Sequence, residues 1–156
     1  MKCSPLPLLL GLLGLLAMLV ACAPTRSVFP PAASVQALNV QPDGRWQVTV
    51  RLDNYAYRSM RFVALDVRLR IGGADAGALS GPLDLRIPEL NGDVAVFTLT
   101  PTPEARTALT GDREGNIAYA LTGSVRAGPE MDDLTTYPLQ HTGYLSPVPG
   151  LPDAWR

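Results

Sequence analysis

The chain has 156 residues, a formal net charge of −1, 17% charged residues and a single histidine. That length suits one domain behind a short leader, and a balanced charge with no basic stripe argues against a nucleic-acid partner. One histidine also excludes a two-histidine zinc motif built within one chain.

The first element in chain order is the leader. Lys2 precedes an apolar run from Leu8 to Val20, about thirteen positions where a membrane-crossing helix needs roughly twenty. The run ends in Leu19-Val20-Ala21-Cys22, after which the composition turns polar. This resembles the signal and lipobox of a bacterial lipoprotein, and the resemblance implies cleavage between Ala21 and Cys22 with a lipid on the Cys22 sulfur. An ordinary secretory signal with an incidental cysteine and an uncleaved amphiphilic anchor are the competing readings. The three residues before Cys22 favour the lipobox. Two or more acyl chains give durable attachment where a single one is marginal. Ala23, where an inner-membrane retention signal carries Asp, points to the outer membrane facing the periplasm. Cys3 leaves with the signal and Cys22 becomes a thioether, so the mature chain has no thiol for a disulfide, for nucleophilic catalysis or for a metal.

Pro24, Pro30 and Pro31 then mark a tether that stays extended. Beyond it the dominant pattern has a period of two. Ser34 to Val40 reads as a strand, Pro42-Asp43-Gly44 as a turn, and Trp46, Val48, Val50 and Leu52 alternate with Gln47, Thr49, Arg51 and Asp53 as its hairpin partner. Leu65, Val67, Leu69 and Ile71 repeat the alternation, while Met60 and Phe62 stand in the other phase, so a bulge is expected at Val63-Ala64. Gly72-Gly73 ends that strand, and a short segment to Ser80 leads into a further strand at Leu83, Leu85 and Ile87.

Leu90-Asn91-Gly92-Asp93 reads as a hairpin turn. The continuous apolar run Val94 to Phe97 after it suits a strand buried on both faces, or one partly covered by another element. Thr102, Pro103 and Glu104 signal a short helix with Ala105, Ala108 and Leu109 on its apolar side. Ile117 to Val125 and Leu134 to Leu145 complete the strands, and a loose tail follows from Ser146. About seven antiparallel strands with one short helix are best accommodated by an all-β immunoglobulin- or fibronectin-III-like sandwich. The chain thus divides into a signal peptide (1–21), a Pro-rich tether (22–33), a sandwich (34–145) and a C-terminal tail (146–156).

The break Asp53-Asn54-Tyr55, the strand Leu65 to Gly73, the Ile87-Pro88 step and the closing strand near Tyr137 to Gly143 resemble the group-two late embryogenesis abundant domain, also called the WHy domain. Where that family carries Asn-Pro-Asn, this chain has Asp53-Asn54-Tyr55. The resemblance implies a disulfide-free sandwich linked to dehydration stress. It implies no catalytic residues.

Other constellations are thin. His141 with Ser124 or Ser146 lacks the nucleophile elbow of a hydrolase, and His141 reads as a solvent-facing strand residue. Asp112, Glu114 and Asn116 have the two-residue spacing that could surround a calcium ion but lack the glycine position and distal Glu of an EF-hand loop, and they read as a plain turn, as do Glu130, Asp132 and Asp133. Asn54, Tyr55 and Tyr57 form the candidate recognition surface, because binding groups favour loops on a rigid scaffold. The expectation is a non-enzymatic, lipid-anchored envelope protein without cofactor or metal. Its role is stress protection or partner binding, or else structural adaptation of an envelope transport or secretion complex through a strand edge.

Overall fold

The structure, a computed structural model, describes residues 29–111 and 115–156. Two antiparallel sheets face each other. One has five strands in the order β5-β2-β1-β9-β8 and the other four in the order β4-β3-β6-β7. The strands are β1 (Ala32–Val40), β2 (Trp46–Asn54), β3 (Met60–Ile71), β4 (Ala74–Ile87), β5 (Asn91–Leu99), β6 (Ile117–Gly128), β7 (Thr135–Leu145), β8 (Pro147–Val148) and β9 (Leu151–Trp155), with one helix, α1 (Pro103–Gly111), between β5 and β6.

Strand periodicity builds the core. Trp46, Val48, Val50 and Leu52 of β2 are all buried, and so are Leu65, Val67, Leu69 and Ile71 of β3. Met60 and Phe62 are buried as well although they lie in the opposite phase, because the β3 register shifts between Phe62 and Ala64 against both neighbours. One extra residue there turns both halves of the strand inward. Each such side chain contributes about 1.5–3 kcal/mol by leaving water. A folded domain without a disulfide needs a core of this kind.

Gly72 and Gly73, with φ of 56° and 84°, make the tight β3–β4 turn, where a side chain would be strained. β4 then runs unbroken from Ala74 to Ile87, so the segment read as a connection up to Ser80 is strand. Pro82 is tolerated because β4 is an edge, as Pro138 is on β7. Thr102 caps α1: its hydroxyl accepts the Ala105 N–H (3.2 Å) and donates to the Asp75 carbonyl (2.6 Å). Ala105 and Leu109 bury the helix against the sandwich.

Two expectations are corrected and one is narrowed. Leu90 to Asp93 is not a hairpin turn, since β4 and β5 belong to different sheets and Asn91 and Gly92 already pair with Asn54 and Asp53 of β2. The positive φ of 52° falls on Leu90 instead. Of the two readings of β5, the partly covered one holds: it is an edge strand with Val94 and Val96 exposed and Phe97 turned toward β4. The tail is not loose either. β9 pairs with β1 through Leu38 opposite Trp155, and Trp155 is 1% exposed.

Register also assigns the loops to two ends. Ala32 lies opposite Asp53, Asn54 opposite Asn91, Met60 opposite Ile87 and Arg61 opposite Gly128. The β2–β3 loop, the β4–β5 turn, the β6–β7 loop and Phe29, where the described chain enters, therefore share one end. We call it the entry end. The β1–β2 and β3–β4 turns and α1 occupy the far end.

Candidate functional site

The entry end is organised by Asn54, a fully buried polar residue of the sandwich. Its amide nitrogen donates to the carbonyls of Arg58 (2.9 Å), Ile87 (3.1 Å) and Pro88 (2.9 Å), and its side-chain oxygen accepts the Ala56 N–H at 3.0 Å. One side chain thereby fastens the β2–β3 loop to itself and to the end of β4. Asparagine suits the position because it offers both donors and an acceptor, and because it closes the short turn onto the N–H two residues on. The Leu90 N–H adds a bond to the Ala56 carbonyl at 3.3 Å. The role of Asn54 is therefore to hold the loop, with its own polar atoms turned inward.

Tyr55 and Tyr57 are placed differently. Both are exposed on that loop, and Tyr57 meets Phe29 edge-on with ring centroids 6.1 Å apart. Two solvent-exposed ion pairs at 3.9 Å, Arg58 with Asp133 and Arg86 with Glu130, span from the β2–β3 loop and β4 to the β6–β7 loop. At that distance and exposure they contribute little energy. Of the three residues expected to form a recognition surface, two are available to a partner and the third supports them. The sequence signal for the third was present: an Asn at a strand end followed by a small residue two positions later is an Asx-turn pattern.

Ala21 and Cys22, the expected cleavage and lipidation positions, lie outside the described residues, as do Asp112 and Glu114. Asn116 is described, and its side-chain oxygen accepts the Ser146 hydroxyl at 2.8 Å. His141 does not face solvent as expected; it is half-buried on the inner side of β7, against the Tyr119 ring at 5.8 Å. It pairs with Leu121, whereas Ser124 pairs with Pro138 three rungs along and with the opposite strand parity. No hydrogen bond joins His141 to Ser124 or Ser146 among the described residues, and no three His, Cys, Asp or Glu side chains converge there on a common centre.

Tyr119 is a titratable group whose ionisation the fold alters. Burial pushes its hydroxyl above the ordinary tyrosine value, opposed by the Val35 N–H that the oxygen accepts at 3.2 Å. The contact ties β6 to β1 across the two sheets. Near it, on the outer side of the four-stranded sheet, Arg70, Ala118, Ala120, Thr142 and Tyr144 border an open groove of about 430 Å³. The Arg70 guanidinium is already bonded to the Gly73 carbonyl.

No family model and no curated protein matches this chain by sequence. Its fold does have counterparts. The solution structure of AT1g01470 from Arabidopsis thaliana is similar, with a TM-score of 0.50 and 14% identity over 78% of this chain and 81% of that one. A solution structure described as that of a candidate late embryogenesis abundant protein, At2g46140.1, reaches 0.42 at 18% identity over 88% and 81% of the two chains. A crystal structure from Archaeoglobus fulgidus reaches 0.41 at 8% identity over 78% and 98%. At these identities the likeness concerns the sandwich alone, and it rests on the first.

Proposed function

We propose that this chain is a lipid-anchored protein of the bacterial cell envelope that acts by contact and not by catalysis, protecting the envelope during drying or osmotic stress. The observation that carries this reading is the run Leu19-Val20-Ala21-Cys22 standing just ahead of Phe29, where the described fold begins. The resemblance of the Asp53 to Tyr55 break and its flanking strands to the WHy domain supports the protective role. Ala23 after the cysteine supports the outer membrane, facing the periplasm. The test is metabolic labelling with a fatty-acid analogue: Cys22→Ala abolishes the label and leaves an unprocessed precursor. Label that persists on the variant refutes the anchor. Deleting the gene lowers survival after drying; unchanged survival refutes the protective role.

A second reading has an observation of its own. Three of the four sheet edges carry proline, at Pro82 of β4, Pro138 of β7 and Pro147 of β8, which blunts strand addition. β5 carries none, and it exposes Val94 and Val96. An adaptor that accepts a strand from an envelope complex would use this edge. Crosslinking through a photoreactive residue at position 96 discriminates the two. A stoichiometric protein favours the adaptor, and diffuse products favour the protector.

A further inference from the structure

The entry end displays side chains that the fold has no use for. Phe29, Tyr55, Tyr57, Leu90 and Met131 are 47%, 50%, 62%, 60% and 58% exposed, and they come from four separate segments that register brings to one end. Leu90 adds a detail. It is held at a φ of 52°, where Gly or Asn would sit with less strain, yet its apolar side chain is turned to solvent. Apolar groups gathered this way mark a surface that is covered in use.

What covers it follows from where the chain comes from. Phe29 belongs to the cluster, and Cys22 precedes it by seven residue steps, a reach of roughly 25 Å at full extension. β3 alone has 12 residues, about 40 Å of strand. A lipid on Cys22 therefore keeps the entry end at the membrane and the far end away from it. Phe, Tyr and Leu are also side chains that settle at the boundary between headgroups and acyl chains.

We propose that the end bearing Phe29, Tyr55, Tyr57, Leu90 and Met131 docks into the headgroup layer of the bilayer that holds Cys22, standing the sandwich upright on the membrane. The inference rests on the anchor proposed above. The local charge selects the lipid. Glu130 and Asp133 are matched by Arg86 and Arg58, while Glu89 and Asp132 make no ion pair among the described residues. With Arg26 of the tether counted, these four carboxylates stand against three guanidiniums, so the end gains nothing from anionic headgroups; the surface it fits is zwitterionic, and the aromatic and aliphatic side chains supply the attraction.

The experiment uses the full chain, purified with its acyl groups and reconstituted into phosphatidylcholine vesicles. Tyr57→Cys, Met131→Cys or Thr110→Cys carries an environment-sensitive fluorophore. Brominated lipid is expected to quench the probes at 57 and 131, which sit roughly 5–10 Å into the interface, and to leave the far-end probe at 110 unaffected. Adding phosphatidylglycerol does not strengthen the quenching at 57. Phe29→Ser with Leu90→Ser in the Tyr57→Cys chain lowers it about twofold or more, since binding scales with the apolar area buried, while the thermal midpoint confirms that the fold persists. Equal and negligible quenching at all three positions, on protein that carries acyl groups and floats with the vesicles, overturns the docking and leaves the anchor standing. Absence of acyl groups on Cys22 overturns the anchor and the docking together. Capture of one stoichiometric protein through position 57 in whole cells, without quenching in pure lipid, assigns this end to a protein and also overturns it.

Discussion

Asn54→Ala removes the one side chain that bonds four backbone groups at the entry end. The loss is worked from burial. The Arg58 and Pro88 carbonyls are partly open, so water replaces the amide there at little cost, whereas the Ala56 N–H and the Ile87 carbonyl are bonded in a buried setting. A buried group left without a partner costs about 1–3 kcal/mol, so two such groups predict a destabilisation of about 2–6 kcal/mol. At roughly 3–5 °C per kcal/mol for a domain of this size, the melting temperature falls by about 6 °C or more. Asn54→Asp is worse at neutral pH, because a buried carboxylate then faces three carbonyl oxygens. Its folded pKa is raised above the unfolded value, so stability is retained below about pH 4 and lost as pH rises through the folded pKa. Urea unfolding followed by the fluorescence of Trp46 and Trp155, both buried, measures each variant. A loss under about 1 kcal/mol for the alanine variant, well below the cost of one orphaned group, or an aspartate variant no more stable in acid, refutes the role assigned to this residue.

Tyr119→Phe leaves the Val35 N–H without its acceptor and costs about 1–3 kcal/mol in the same assay. Because the folded Tyr119 pKa is raised, native stability is full below the unfolded value near 10 and declines as pH rises through the folded one, and the phenylalanine variant loses that decline. Gly123→Ala drives a methyl group into the Asp66 carbonyl oxygen and the Val67 Cα of β3; the four-stranded sheet then loses about 3 kcal/mol or more, seen as a lower urea midpoint. Thr102→Ala removes the cap of α1 and costs about 1 kcal/mol, while hydrogen exchange speeds up at Ala105 and not in β3.

The strands that follow one rule were legible in advance. Trp46 to Leu52 and Leu65 to Ile71 alternate cleanly because one side faces the core, and the phase slip at Val63-Ala64 required a bulge. What failed were readings in which local chemistry had to predict a distant partner. Asn91-Gly92 has the residues of a tight hairpin turn, but which sheet each flanking strand joins is decided by β2, which β5 pairs along its whole length. Val94 to Phe97 is apolar throughout, yet only register tells an edge from a centre. The proline-rich stretch after Ser146 looked unstructured because Trp155 meets β1 only through the tertiary fold. Asn54 was visible as a polar residue in a loop. Its burial depends on carbonyls from a strand more than thirty residues away, and no local pattern contains that.

The partnership of β9 with β1 has a consequence for the order of events in the cell. The first strand made must wait for the last before its sheet is complete, and contacts between such distant parts of a chain slow folding. A chain made from its N-terminus therefore keeps the β1 edge at Leu38 and Asn39 unpaired until Ala154 and Trp155 are available, and a product stopped before Leu151 lacks that partner altogether.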